Sequence, residues 1–114
     1  MMKTKQIKKV LVVYYTRNYG TLAKVKKALQ KNQIAASYVK RENESAIKRL
    51  VRNTDAVIVV GGDGTLLRAS HFVEHTPVLH ISSSSKMNEA FFSRATDKDA
   101  EMKIGLLARG SYDI

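Results

Sequence analysis

The sequence contains no cysteine, which excludes both a disulfide and a thiolate metal site as sources of stability. Packing alone therefore has to hold the domain, and we expect the protein in the cytoplasm. Long hydrophobic runs are also missing. The longest, residues 10–13 and 56–60, are far too short to cross a bilayer, and no signal-peptide cleavage pattern follows the first. These absences predict a protein with no membrane partner.

Acidic residues are few. Ten Asp and Glu are outnumbered by twenty Lys and Arg, which gives a formal net charge of +10 over 114 residues. Such a charge attracts polyanions, including nucleotides and nucleic acids, and does not by itself choose among them. The lysines are scattered, without the aromatic interleaving or helix-turn-helix pattern of nucleic-acid-binding domains. We therefore interpret most of them as solvated surface, which argues against nucleic acid as the main partner.

The apolar segments indicate a single domain, residues 1–114, in which strands and helices alternate. Strands are predicted at residues 10–15, 34–39, 56–60 and 78–81. The third is the clearest, because an apolar, mostly β-branched run without alternation is typical of a strand covered on both faces. The alternation implies right-handed crossovers and a Rossmann-like, doubly wound, mostly parallel sheet, an α/β fold whose ligands bind at the carboxyl ends of the strands.

Helix ends are predicted from capping residues and from breaks in the helical spacing of apolar residues. We expect Thr21 to cap the first helix and Ser45 the second. The third helix should follow Thr65 and continue to Val73. Residues 82–85 are four serines, which compete with the backbone for hydrogen bonds and predict a loop.

Residues 61–65, Gly-Gly-Asp-Gly-Thr, directly follow the buried third strand. The three glycines permit a tight turn and leave backbone N–H groups uncovered, so that a phosphate oxygen can approach, and the next helix adds its positive end. Asp63 would repel phosphate unless it binds a metal, orients a hydroxyl or accepts that hydroxyl's proton, which are roles found in kinases. Arg68, counted from Thr65, should lie in the first helical turn beside the same anion site.

The segment from Asp55 to Ser70 resembles the signature segment of NAD kinases. Diacylglycerol, sphingosine and phosphofructokinase enzymes share the glycine turn, but the continuation Leu67-Arg68-Ala69 is similar to that of NAD kinases. The resemblance extends to residues 106–114. It implies the N-terminal domain of the NAD kinase type, with the family's C-terminal β-rich domain absent from these 114 residues. A homo-oligomer would then form mainly through that missing domain.

By this resemblance, Asp63 accepts the proton of the 2′-hydroxyl on the adenosine ribose of NAD, or orients that hydroxyl, for attack on the γ-phosphate of ATP. The product is NADP, and polyphosphate is an alternative donor. Magnesium is expected with the phosphates, since no dedicated protein site for a metal is readable. The expected binding residues are those of the turn together with one basic and one aromatic residue: Gly61, Gly62, Asp63, Gly64, Thr65, Arg68 and Phe91.

The sequence departs from the family at the next strand end. Where the family typically has Gly-Ile-Asn and then Gly-Phe-Leu, residues 80–82 are His-Ile-Ser and residues 90–92 are Ala-Phe-Phe. His80, Ser82 and Ala90 thus replace two glycines and an asparagine at the edge that, by the resemblance, contacts the dinucleotide. We expect the isolated chain to bind nucleotides weakly and to form no NADP.

Two other functions are consistent with parts of the sequence. Residues 71–75 match the His-x-x-Glu-His pattern of inverted zinc peptidases, in which both histidines share one face of a helix. The main alternative is a nucleotide- or nucleic-acid-binding module without catalysis, in which an idle turn merely maintains the fold. A nucleic-acid affinity that falls steeply with salt would favour that alternative.

Overall fold

The computed structural model describes residues 7–82, the backbone of residues 93–96, and residues 100–108. The described residues form five strands: β1 (Lys9–Tyr14), β2 (Ala35–Lys40), β3 (Ala56–Val60), β4 (Val78–Ser82) and β5 (Ser93–Thr96). They also form four helices: α1 (Tyr19–Lys31), α2 (Glu44–Leu50), α3 (Asp63–Ser70) and α4 (Ala100–Ala108). Within this described part, no helix is both long and apolar enough to cross a membrane.

The described strands form one parallel sheet in the order β2-β1-β3-β4-β5. The uninterrupted apolar run of β3 occupies the middle of this sheet, where all five of its residues are buried. The direction of winding reverses between β1 and β3, and doubly wound sheets bind ligands at the carboxyl side of that point. The predicted doubly wound α/β fold is confirmed.

Side chains alternate along each strand and so form two apolar layers. In β1, Val10 and Val12 pack in the layer that includes α1 and α4, whereas Leu11 and Val13 pack in the layer that includes α2 and α3. Helices on both faces remove both sets of side chains from water, which is the main favourable contribution to folding. The sheet is therefore covered on both faces, and the loops lie at the two ends of its strands.

Two helix starts differ from the prediction. Thr21 is not a cap, because α1 already begins at Tyr19 and Thr21 lies buried inside the helix. The cap of α2 is Asn43, not Ser45, since the Asn43 side chain accepts a hydrogen bond from the Ala46 N–H at 3.3 Å. Asn and Ser are both good caps, and the path of the chain entering the helix decides which one is used.

The third helix also has different bounds. It begins at Asp63, with Gly62 as its N-cap in an extended conformation, and it ends at Ser70 instead of Val73. A glycine turn that enters a helix directly needs no intervening residues, which explains the early start. Ser82 belongs to β4 instead of a loop. The remainder of that predicted loop lies outside the described residues.

Asp55 secures the amino edge of the sheet. Its Oδ2 accepts hydrogen bonds from the backbone N–H groups of Lys8 at 3.0 Å and Lys9 at 3.1 Å, and its own N–H donates to the carbonyl of Lys9 at 2.8 Å. These bonds join the start of β1 to the start of β3. Asp55 therefore has a structural role within the segment that resembles the kinase signature.

Candidate phosphate-binding site

Residues 61–65 leave β3 at the carboxyl edge of the sheet and enter α3. The three middle residues of this turn are exposed, whereas Gly61 and Thr65 are buried. The Gly61 N–H donates to the carbonyl of Ile81 in β4 at 3.1 Å, which anchors the turn to the neighbouring strand. The turn thus opens to solvent at the end of the central strand, where phosphate could reach the first turn of α3.

The three glycines of the turn differ in whether the surrounding structure requires a residue without a side chain. Gly61 has a φ of +153°, and a Cβ there would lie 2.6 Å from the Thr65 Oγ1, so this position requires glycine. A Cβ at Gly62 would meet no described atom within 4 Å, and one at Gly64 would meet only the Arg41 Nη1, at 3.7 Å. The fold itself does not require Gly62 or Gly64, which leave open space beside a helix N-terminus.

Asp63 is the first residue of α3 and is exposed. This places a carboxylate at the mouth of the turn, and its contact with a substrate hydroxyl stays a prediction. Thr65 faces the opposite way. It is fully buried beneath Gly61, and its Oγ1 accepts a hydrogen bond from the Arg41 Nη1 at 3.2 Å. Contact of Thr65 with a ligand stays a prediction.

Two residues that the sequence did not single out, Tyr15 and Arg41, lie beside the turn. Arg41 follows β2, and its guanidinium carbon lies 3.7 Å from the centroid of the Tyr15 ring, which follows β1. The Tyr15 N–H donates to the carbonyl of Val60 at 3.0 Å, so the ends of β1 and β3 are joined. Their positions in the sequence could have identified them, because each is the first residue after the carboxyl end of a parallel strand, where ligands bind.

Arg68 does not lie in the first turn of α3. Because the helix begins at Asp63, Arg68 is in its last turn, and the argument from the helix dipole does not apply to it. Its charge nevertheless reaches Glu42, next to Arg41. The hydrogen bond from the Arg41 Nε, at 3.1 Å, is the main cause that lowers the pKa of Glu42, and the Arg68 charge contributes less. Contact of Arg68 with phosphate stays a prediction.

His80 holds the first peptide of the turn. It is buried in β4, and its Nε2 lies 2.7 Å from the carbonyl oxygen of Gly61. A carbonyl only accepts, so Nε2 carries the proton of this hydrogen bond. Ser82 is buried at the end of the same strand, also near the turn. Phe91 lies outside the described residues.

The His-x-x-Glu-His segment lies at the opposite edge of the sheet. Residues 71–75 follow the end of α3 and are not helical, so the shared helix face on which the zinc hypothesis depended is wrong. The segment borders a groove of about 460 Å³, which is also lined by residues of and after α2: Lys48, Val51 and Arg52. Among the described residues, no group of three or more His, Cys, Asp or Glu could hold a metal ion.

The described residues form an α/β domain with a glycine turn at the switch point of its sheet. A family described as the ATP-NAD kinase N-terminal domain matches residues 3–110. The chain therefore belongs to this family, as the resemblance of the signature segment predicted.

Two curated relatives are similar to part of the chain. An NADH kinase of Arabidopsis thaliana is 38% identical over 64 residues, which are 55% of this chain and 20% of the relative. A probable NADH kinase of Oryza sativa subsp. japonica is 36% identical over 88 residues, which are 76% of this chain and 26% of the relative. The similar region thus spans about a quarter or less of the length of each relative.

The fold is also similar to that of a solved protein with a different sequence. A crystal structure of a diflavin flavoprotein from Nostoc sp. matches with a TM-score of 0.59 and 10% sequence identity, and the match covers 94% of this chain and 91% of that chain. At this identity the similarity concerns the fold alone, because one fold supports many unrelated functions.

Proposed function

We propose that this chain is the phosphate-handling domain of a kinase that phosphorylates the 2′-hydroxyl of the adenosine ribose of NAD or NADH. ATP or polyphosphate is the donor. One observation carries the proposal: the exposed turn of residues 62–64, at the carboxyl end of the central strand, presents a carboxylate and a helix N-terminus with an arginine against it. Membership of the ATP-NAD kinase N-terminal domain family supports it, and the names of the two relatives support NADH as an acceptor.

Asp63 is the proposed proton acceptor. The 2′-oxygen of the ribose forms a bond to the terminal phosphorus of the donor, the bond from that phosphorus to the leaving phosphate breaks, and the hydroxyl proton passes to the carboxylate. A positioned general base contributes roughly 10² to 10⁴ in rate. The larger share of catalysis in phosphoryl transfer comes from holding donor and acceptor in line, which needs groups on both sides of the cleft.

Magnesium would neutralise phosphate charge when it is bound with the donor. The residues described around the turn do not form a cage for it: no cluster of three or more metal-ligating side chains occurs among them. We therefore expect the phosphates to bring the metal, and we assign no step to a protein-bound ion.

The first test compares Asp63→Asn with Glu74→Gln, an exposed carboxylate at the opposite edge of the sheet. Each change is made in a protein that completes the catalytic cleft, such as a fusion of residues 1–114 to the remaining sequence of the rice relative. NADP and NADPH are measured with NAD or NADH as acceptor and ATP or polyphosphate as donor. We expect Asp63→Asn to lower turnover at least 100-fold with little change in melting temperature, and Glu74→Gln to have no effect. Equal activities would remove Asp63 from the mechanism.

The second test uses residues 1–114 alone. We propose that this domain binds phosphates weakly and electrostatically, so that affinity falls with salt, and forms no NADP from NAD, ATP and magnesium. NADP production that disappears in Asp63→Asn would contradict this expectation and would mean that the domain completes its own cleft by self-association.

A further inference from the structure

Both the backbone and the side chain of Arg41 make contacts that hold it at the carboxyl edge of the sheet. Its backbone N–H donates to the carbonyl of Tyr14 at 2.8 Å, which continues the pairing of β2 with β1 by one residue. Its guanidinium carbon lies 3.7 Å from the Tyr15 ring centroid, and the side chain is only 22% exposed. Stacking on an aromatic face fixes the plane of a guanidinium and lowers the entropy lost when it binds a ligand.

The Arg41 guanidinium has N–H donors that make no hydrogen bond with the described residues. A guanidinium carries five N–H groups. In the described structure one of them, on Nε, donates to Glu42 at 3.1 Å, and one on Nη1 donates to Thr65 at 3.2 Å. The other three, one on Nη1 and both on Nη2, have no partner among the described residues. A partly buried and stacked arginine with unused donors is suited to bind a phosphate group through two hydrogen bonds.

Open space lies beside these donors at the Cα of Gly64, which carries no side chain. A Cβ at Gly64 would lie 3.7 Å from Arg41 Nη1 and within 4 Å of no other described atom. Gly64 is the second residue of α3, ahead of Thr65 and Leu66, whose N–H groups both donate to the carbonyl of Gly62. The N–H groups before these two lie at the open start of the helix. An anion that occupied this space would touch the arginine and the helix N-terminus together.

We propose that Arg41 is a phosphate-binding residue that holds a phosphate group against the first turn of α3. This inference rests on the proposed function and names a group of the same site. The ligand class is a linear phosphate chain, which is either the triphosphate or polyphosphate of the donor or the pyrophosphate of the dinucleotide. Tyr15 and Glu42 position the guanidinium, and Thr65 accepts one of its hydrogen bonds.

The test measures binding of inorganic tripolyphosphate, ATP and NAD to residues 1–114 by titration calorimetry. Arg41→Gln is compared with Arg52→Gln, which removes the same charge from an exposed residue at the opposite edge of the sheet. We expect Arg41→Gln to weaken binding of a phosphate ligand about tenfold to a hundredfold, the effect of a charge-assisted hydrogen-bonded pair. Arg52→Gln should cause only the small loss that follows from net charge.

The three ligands identify the source of the phosphate. A loss confined to tripolyphosphate and ATP assigns Arg41 to the donor, and a loss confined to NAD assigns it to the pyrophosphate of the acceptor. Equal affinities of the Arg41→Gln and Arg52→Gln variants for all three ligands would overturn the proposal.

Two further measurements exclude a general effect on the fold. In the unmutated chain, an NMR titration with tripolyphosphate should shift the Arg41 Nε–H and Gly64 N–H signals with one common affinity, and shifts at Arg52 of the same size would overturn the proposal. Tyr15→Leu should weaken binding by removing the stacked ring, whereas Tyr15→Phe, which keeps that ring, should restore it. These measurements follow binding and not phosphoryl transfer, so the inference stands or fails independently of the catalytic role of Asp63.

Discussion

The two ends of strand β3 carry an aspartate each, and the two carboxylates are used differently. Asp55, before the strand, accepts hydrogen bonds from the backbone of Lys8 and Lys9 and so joins two strands. Asp63, after the strand, begins α3 in an exposed turn. Because all the described strands are parallel, the first aspartate lies at the amino edge of the sheet and the second at the carboxyl edge.

The comparison shows that a residue with a structural role and residues with a proposed ligand-binding role lie at opposite ends of one short segment. At the amino edge the protein satisfies its own backbone with a carboxylate. At the carboxyl edge it leaves glycines where its own packing does not need them, and it places the stacked side chain of Arg41 against them. Substitutions at the two ends should therefore separate effects on stability from effects on ligand binding.

The largest effect on stability is expected from Gly61→Ala in the turn, and Gly64→Ala in the same turn is its matched control. Gly61→Ala should destabilise the fold by about 2 to 4 kcal/mol, because a Cβ would clash with Thr65 and φ is positive. Gly64→Ala should be neutral or stabilising by up to about 1 kcal/mol, since it lies in a helix with open space around it. Urea denaturation measures both free energies of unfolding, and changes of the same sign and size would contradict the assignment.

Removal of the histidine that supports the turn should have the next largest effect. His80→Leu leaves the carbonyl of Gly61 without its buried donor and should cost about 1 to 3 kcal/mol. His75→Leu, at an exposed position on the amino edge, is the matched control and should have little effect. Amide hydrogen exchange in the turn should increase in the first variant only. If both variants unfold at the same urea concentration, His80 does not support the turn.

A smaller effect on stability is expected at the amino edge. Asp55→Ala should lower the free energy of unfolding by about 1 to 2 kcal/mol, because the N–H groups of Lys8 and Lys9 lose a charged acceptor that is only partly buried. Asp63→Ala should change it by less than about 0.5 kcal/mol, as for a surface substitution. Thermal unfolding of the two variants decides the matter, and a larger loss for Asp63 would reverse the comparison.

The smallest effect is expected for the surface ion pair of Lys31 and Glu101, which serves as a baseline. Their side chains meet at 2.7 Å and are both largely exposed. The hydrogen bond between them lowers the pKa of Glu101 and raises the pKa of Lys31. The stabilisation is therefore present at neutral pH. It is lost as the pH falls through the lowered pKa of Glu101, and it is lost as the pH rises through the raised pKa of Lys31.

The melting temperature of Glu101→Gln, followed over pH and salt, checks this baseline. We expect a small difference from the unmutated protein at neutral pH and low salt, and none at high salt, where an exposed pair is screened. A difference that persists at high salt would mean that the pair joins α1 to α4 more strongly than an ordinary surface contact.

Apolar patterning predicted the fold well, and it predicted the helix ends poorly. The strands were evident because a strand covered on both faces needs a continuous apolar run, and β3 has one. The caps were wrong at Thr21 and Ser45 because several residues in each region can cap a helix. The early start of α3 then displaced Arg68 from the first turn to the last.

The sequence by itself determined the doubly wound sheet, the position of the glycine turn after the central strand and the family to which the chain belongs. Only the tertiary structure decided that Gly61 is required by packing while Gly64 is not, that His80 supports the turn, and that Arg41 lies against it. The physical reason is sequence separation. Arg41 follows β2 and Thr65 follows β3, 24 positions apart, and they meet across the end of β1 because all the described strands are parallel and bring their carboxyl ends to one edge. No local pattern of residues records such a contact.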